Sequence, residues 1–574
     1  MFRKFLGLDN WTKWVVVFLF GGTLAAISYC IALRNTQLNA VFSHHPGAGN
    51  VPAAGTLQLT ATLNSTDTSD DGSAPAPANY PAGGPADGAT GPPLTGCGGP
   101  TINLNAAMSQ STLKGRISSA PNCALIVFAA GTYNILAPIT IPCGVTITGP
   151  VASPATAILA AAYTGNVIFA VSQCSRPVTI GYLHFENTGG IYVIAPMSGI
   201  TITHNQFTNL PANFHQWTDM GIYFDGTRGG TISNAAITNN TFGDPSSCSA
   251  VMSVDRDEGG VCNGIFFQGD LDGIAIENNI FTHLEEGFHV ICFAGDKCTG
   301  SGSPTWNNFV VRWNDFNNIH RIAMEMQPQN ASNVIVAFNS YENAFAPSTF
   351  TMGISAACCA GISGATVPFV NHNVLLANVK EAGKYIAYAI EWWGNGAQAN
   401  NNLIQGYWAN GIVWGMGGGP WEVRNSVIQG RYMAGPYGCY ICDEKQGATN
   451  IPTQSGNVTS TTITPVTSIA PTISPAGGAI SAATTVTLAD TGSNHSIYYT
   501  TDGSIPTTSS TLYTVPFAVN AGITVKAIGM WGRGANPKSY PSGYGYVPSA
   551  VVSASYTAGS VPAAKVSSAR DRPE

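Results

Sequence analysis

A chain of 574 residues is longer than one hydrophobic core usually organises, so several structural units are expected. Charged residues make up only 9% and the formal net charge is −7, a balance without the clustered Lys and Arg that a nucleic acid would need. No nucleic-acid partner is expected.

The first element is apolar. Trp14 to Leu33 reads WVVVFLFGGTLAAISYCIAL, an uncharged run of about 20 residues, the length with which a helix crosses a bilayer. Arg3, Lys4 and Lys13 precede it, Arg34 follows, and no further Lys or Arg occurs before Lys114, so the N-terminus is placed in the cytoplasm and the main body outside. Residues 1–34 are therefore read as a cytoplasmic stub and transmembrane signal anchor in a single-pass cell-membrane protein, which would be secreted if the anchor were cleaved. Residues 35–95, with PAPANYPAGGPADGATGPP at their heart, hold too few large apolar side chains for a core and read as a disordered linker. Twelve Cys follow Cys30, several close in sequence (Cys248 and Cys262, Cys292 and Cys298, Cys439 and Cys442), as disulfide staples of an extracytoplasmic chain would be.

From Gly96, INLNAAMSQ reads as a short capping helix, and ALIVFAAGTYNI, ITIPCGVTITG and VTIGYLHF as alternating strands. A repeat then takes over: HNQF ending at Phe207, ITNNTF, IENNIF, RWNDF, AFNSY, NHNVL, NNNLI and RNSV. The closing apolar residues Phe185, Phe207, Phe242, Phe281, Phe316, Tyr341, Leu375, Ile404 and Val427 stand 22 to 39 residues apart, the signature of a solenoid whose longer turns carry insertions. Asn205, Asn240, Asn279, Asn314, Asn339, Asn373 and Asn402 recur in the motif and are read as an inward ladder of hydrogen bonds between turns, a structural role.

These motifs resemble the right-handed parallel β-helix family of pectate-lyase-like proteins over residues 96–447. The resemblance implies fold rather than reaction. The Gly-His-Gly and Arg-Ile-Lys signatures of polygalacturonases are missing, as is the basic catalytic stretch of pectate lyases.

Each turn holds a second strand: GIYVI from Gly190, GIYFD from Gly221, GIFFQ from Gly264, GFHVI from Gly287, RIAME from Arg321, TMGIS from Thr351, AYAIE from Ala387 and GIVWG from Gly411. If second and fourth residues face inward, one outward column is Tyr192, Tyr223, Phe266, His289, Ala323, Gly353, Ala389, Val413. The other is Ile194, Asp225, Gln268, Ile291, Glu325, Ser355, Glu391, Gly415. Glu325, Glu391 and Asp225 become candidate catalytic carboxylates on an exposed face, with His289 able to relay a proton. Tyr192, Tyr223, Phe266, Gln268, Trp392 and Trp393 become candidate substrate-binding residues; Trp414 has the inward parity and reads as core. The plain alternative is that the acids only keep a sheet face soluble, or pair with His320 and Arg321. No metal site or cofactor is expected. Ca²⁺ would suit the oxygen ligands of Asp255, Asp257, Glu258, Asp270 and Asp272, which as acidic loop residues read first as solvated.

Residues 448–469 read as a linker and 470–557 as short alternating strands, with 558–574 a disordered tail. SPAGGAIS and IYYTTDGSIPTTSSTLYT, Ile497 to Thr514, resemble the chitobiase and β-hexosaminidase C-terminal domain, which implies an immunoglobulin-like β-sandwich attached to a glycan-active protein. The whole is read as an all-β, membrane-anchored carbohydrate-active protein whose partner is a polysaccharide or cell-surface glycan. A glycoside hydrolase working through paired carboxylates stands first, with a polysaccharide lyase or a noncatalytic glycan-binding surface protein as alternatives.

Overall fold

The computed structural model describes residues 93–559 except 154–155, 162–166, 188, 211–219, 227–228, 249–261, 292–304, 328–329, 338, 344–351, 357–367, 372, 378–385, 393–397, 415–421, 431–438, 444–451, 465, 490–494, 508–509, 514–515 and 532–545. The apolar run Trp14–Leu33, the linker before residue 93 and the tail after 559 lie outside the described residues. Among the described residues no helix is long and apolar enough to cross a membrane.

Three long sheets carry the first unit, with 10, 11 and 12 strands among the described residues. The chain visits them in rotation. Gly189–Ile194, Met197–Thr203 and Gln206–Thr208 form one turn, and the next begins at Ile222–Asp225, paired in parallel with Gly189–Ile194. Repeated turn after turn, this rotation is a parallel β-helix. Its first turn is closed differently from the sequence expectation: Thr101–Leu104 is a strand, and the helix lies further on at Gln110–Ser118, opened by Ser109, whose side chain accepts from the Thr112 N–H. The coil also runs further than expected. Thr453–Ser455 and Val458–Ser460, assigned above to a linker, pair with Glu422–Arg424 and Val427–Gly430 as another turn.

The repeat motif earns its spacing at one corner. The residue before each ladder Asn takes the left-handed conformation at His204, Asn239, Asn278, Trp313 and Asn401, with φ between 56° and 59°. Asn then turns inward and accepts, through Oδ1, the backbone N–H of the preceding ladder Asn, at 2.9 Å for Asn240 to Asn279 and 3.0 Å for Asn279 to Asn314. The ladder continues through Asn339, Asn373 and Asn402 and passes to Ser426, whose Oγ accepts the Asn402 N–H at 3.1 Å. Two residues past the first four ladder Asn stand Phe207, Phe242, Phe281 and Phe316, and with Phe185 on the turn before they stack with centroids 4.7–4.9 Å apart. Each such buried ring contributes about 1.5–3 kcal/mol. The last motif was read one residue early: Asn425 occupies the left-handed corner and Ser426 the ladder, so Ile428, not Val427, pairs with Ile404.

The Phe stack explains the glycines at the head of four second strands, Gly190, Gly221, Gly264 and Gly287. A Cβ on Gly287 would stand 2.5 Å from both the Phe316 ring and the Ala323 carbonyl oxygen, and one on Gly264 2.8 Å from Phe281. The glycines are empty space for the ring beneath.

A second unit parts from the first between Thr464 and Pro465. It holds small sheets of three and five strands, with Val486, Leu488, Val519, Val525, Ala527, Ala554 and Tyr556 buried in a core of their own. Four disulfides lie among the described residues: Cys97–Cys123, Cys143–Cys174, Cys248–Cys262 and Cys439–Cys442. Cys292, Cys298, Cys358 and Cys359 lie outside them.

Candidate functional site

The 11-stranded sheet decides which side chains stand beside one another. Its register aligns Tyr192, Tyr223, Phe266, His289, Glu325, Ser355, Glu391 and Val413 in one column. The sequence reading had slipped by two residues on three strands, because Ala323 and Ala389 take the place of the heading glycine and Arg321, Thr351 and Ala387 were counted as strand heads. A slip of two preserves facing, since side chains alternate with period two. Glu325 and Glu391 therefore do project away from the coil interior, but beside His289 and the aromatics, while Asp225 and Gln268 share the adjoining column with Ile194 and, by register, Ile291 and Gln327.

A second correction concerns water. The face was expected to be exposed, yet Glu325 and Glu391 are 1% and 0% exposed and His289 is 5%. Asp225, Gln268, Tyr223 and Phe266 are also buried, and Tyr192 is half-buried. Charge at such depth is kept only in pairs.

The pairing is dense around His289. Its Nδ1 lies 2.6 Å from Glu286 Oε2 and 3.9 Å from Glu325 Oε2. Arg321 donates through Nη1 to Glu286 Oε1 and, at 3.2 Å, to Glu325 Oε2. Arg321 reaches them because its backbone N–H bonds to the Glu285 carbonyl at 2.9 Å, docking the head of Ile322–Gln327 onto Glu286–Ile291. Burial works against a charged imidazole, but Glu286 and Glu325 outweigh it, against opposition from Arg321, and the His289 pKa lies above its ordinary value. The described quartet thus sets two carboxyl groups against a guanidinium and an imidazole. Glu286 was missed from the sequence because it precedes the heading glycine and fell outside the aligned five residues. The same three residues, Glu286, His289 and Glu325, bring potential metal-ligand atoms within 4.8 Å of one another. The Arg321 guanidinium already lies against both carboxylates, so this donor set is better satisfied as an ion cluster than as a cation site.

On one side of the quartet the column is aromatic. Tyr192 and Tyr223 stack at 5.2 Å, Tyr223 meets Phe266 edge-on at 5.5 Å, and Phe266 lies 5.2 Å from the His289 ring. The phenols are tied sideways: Tyr192 donates to Asp225 Oδ2, and Tyr223 to Gln268 Oε1 at 2.7 Å. On the other side Ser355 Oγ donates to Glu391 Oε2 at 2.7 Å. Trp392 is paired by register with Trp414, which is buried in the coil core. The Trp392 side chain, Trp393 and the acids Asp255, Asp257 and Glu258 lie outside the described residues. Asp270 and Asp272 are on another sheet and cap neighbouring turns, accepting from the Thr305 N–H and from Asn308.

Fold and wall together define a parallel β-helix with one lateral column that runs from aromatic to ionic. Residues 95–324 match the family model described as rhamnogalacturonase A/epimerase, pectate lyase-like, and residues 475–540 match the chitobiase/β-hexosaminidase C-terminal domain. Both resemblances read from the sequence are thereby met. Among solved structures, the chain is similar to the surface protein and adhesin PfbA of Streptococcus pneumoniae, with TM-score 0.40 and 14% identity over 60% of this chain and 100% of that one. It is also similar to an alginate lyase from Paenibacillus sp. str. FPU-7, with TM-score 0.32 and 14% identity over 53% and 94% of the two chains. A third is the catalytic domain of a GH87 alpha-1,3-glucanase in complex with nigerose, with TM-score 0.36 and 13% identity over 64% and 67%. Likenesses of this size carry nothing about chemistry. Among curated proteins none matches the sequence significantly.

Proposed function

We propose that this protein is an extracytoplasmic carbohydrate-active β-helix protein that cleaves a polysaccharide at the column running from Tyr192 to Glu391. The carrying observation is the buried quartet Glu286, His289, Arg321 and Glu325 set against an aromatic shelf on the same wall. Flat apolar rings accept the C–H faces of sugars, and a neighbouring acid and base supply what glycosidic cleavage requires. Glu325 and Glu391 stand two rungs apart in one column, about 10 Å between backbones, and leaning side chains bring their carboxyls toward the roughly 6.5–9.5 Å used by inverting hydrolases. In this reading one carboxylic acid protonates the leaving oxygen, the other activates water, and His289, held between Glu286 and Glu325, relays the proton.

The surrounding architecture fits a surface role. Trp14–Leu33 anchors the chain, residues 35–95 tether the coil away from the membrane, and the disulfides suit an oxidising space. The coil is taken as right-handed, as parallel crossover connections are, and the second unit as an immunoglobulin-like sandwich.

The test is a polysaccharide panel presented to residues 35–574, read for new reducing ends and for the ultraviolet absorbance of unsaturated products. Hydrolysis that falls by at least about 100-fold in both Glu325→Gln and Glu391→Gln is expected. Unsaturated products would make the protein a lyase, binding without cleavage would make it a glycan-binding surface protein, and full activity in both variants would remove the paired-carboxylate mechanism.

A further inference from the structure

Beside the quartet stands a polar side chain with nothing to bond. Asn263 opens the strand Asn263–Gln268, is fully buried, and among the described residues neither its Oδ1 nor its Nδ2 has a hydrogen-bond partner. The backbone of Asn263 is engaged: its carbonyl accepts from the Gly221 N–H, and its register partner on the next turn is Glu286. The amide therefore sits at the seam of the wall. The patch of Met220, Tyr223 and Phe266 lies to one side and the Glu286–His289 pair to the other. A buried amide with both atoms unbonded is a cost that folds carry mainly where a ligand or water completes the set. His289 repeats the pattern. Its Nδ1 is engaged by Glu286, while Nε2 is buried and unbonded.

The unspent capacity has a definite chemical character. The two carboxyls of the quartet already lie against Arg321 and His289, so neither of these two groups is left over for an acidic sugar. What remains is an amide donor, an amide acceptor and one imidazole nitrogen next to a phenyl ring. We propose that Asn263 and His289 Nε2 form the sugar-binding subsite of this wall, and that the sugar is a neutral pyranose whose adjacent hydroxyls bond the amide while its apolar face lies on Phe266. A uronate or sulfated unit would bring a second anion against Glu286 and Glu325 without a partner, which a low-dielectric site penalises. The inference rests on the reading of the wall as a polysaccharide-cleaving site.

The experiment compares the full chain in mild detergent with Asn263→Leu and Asn263→Asp, using neutral glucan and mannan oligosaccharides and oligogalacturonates of equal length. Wild type is expected to cleave a neutral oligosaccharide. Asn263→Leu should raise KM for it on the order of tenfold, the loss of one or two hydrogen bonds, with kcat changed far less. Its thermal midpoint should hold or rise, since an unbonded amide has been removed from the interior. Asn263→Asp, of the same shape but charged, should raise KM further. An Asn263→Leu variant that gains stability with KM unchanged would show the amide to be a packing defect and overturn the subsite. Should the leucine variant fail to fold, Asn263→Ser carries the same KM comparison. Preferential cleavage of oligogalacturonate would overturn the neutral-sugar assignment while leaving polysaccharide cleavage standing. No cleavage of any oligosaccharide by wild type would overturn both.

Discussion

His289 is where a single residue ties stability to pH. Its pKa is raised in the folded chain, chiefly by Glu286 and Glu325 acting against burial, with Arg321 opposing. A raised value means that protonation favours the fold: the contribution is complete below about pH 6.5, the ordinary histidine value, and is lost as pH climbs through the higher folded value. The thermal midpoint is therefore expected to fall as pH is raised from 6.5 toward 9. In His289→Gln that slope should flatten, because the imidazole whose pKa is raised is gone. An equal slope in both proteins would place the effect elsewhere. The residue types at this centre were legible in part. Glu325, His289 and Arg321 were each noticed, but Glu286 was not, because it stands one position before the glycine that marks a strand head and nothing in its local sequence distinguishes it from an ordinary solvated acid.

At the scale of the element, the Asn ladder and the Phe stack are the parts of the coil that a substitution would reveal. Asn279 accepts from both the backbone and the side chain of Asn240 and donates to the Ile237 carbonyl. Asn279→Ala strands these groups inside the coil and is expected to cost about 2–5 kcal/mol in chemical denaturation. Asn279→Ser should cost less, since Ser426 already serves as the acceptor for Asn402. A loss below about 1 kcal/mol for the alanine variant would mean that water replaces the ladder. This element was readable because a repeated corner demands the same residue at every turn. The second strand was readable only where glycine marked it. At Ala323 and Ala389 a methyl group stands in the glycine column, the marker disappears, and the alignment slid by one side-chain pair.

For the molecule as a whole, the separate cores on either side of Pro465 imply separate stabilities. Removing residues 465–574 is expected to leave the coil folded, with its thermal midpoint within a few degrees of the parent and the proposed polysaccharide cleavage unchanged, measured by calorimetry and reducing-end release. Collapse of the truncated chain would show that the second unit is required by the coil. In that unit Asp502 accepts from Ser504 across the Asp-Gly turn, a structural use of its carboxylate.

The coil, its inward Asn ladder, its stacked rings and the kind of small module that follows are legible in the chain, because each depends on residues that recur at short range or in one contiguous motif. The facing of Glu325 and Glu391 is legible too, since alternation along a strand survives an error of two. Only the tertiary structure decided what stands beside them and how deeply. Neighbours across the parallel rungs of this sheet lie 22 to 43 residues apart in the chain, as Glu391 shows against Val413 and Tyr223 against Phe266, and insertions of unequal length set that register. Burial of the wall is likewise a sum over distant segments, and that burial makes an ion cluster and an unbonded amide out of side chains that would be unremarkable in water.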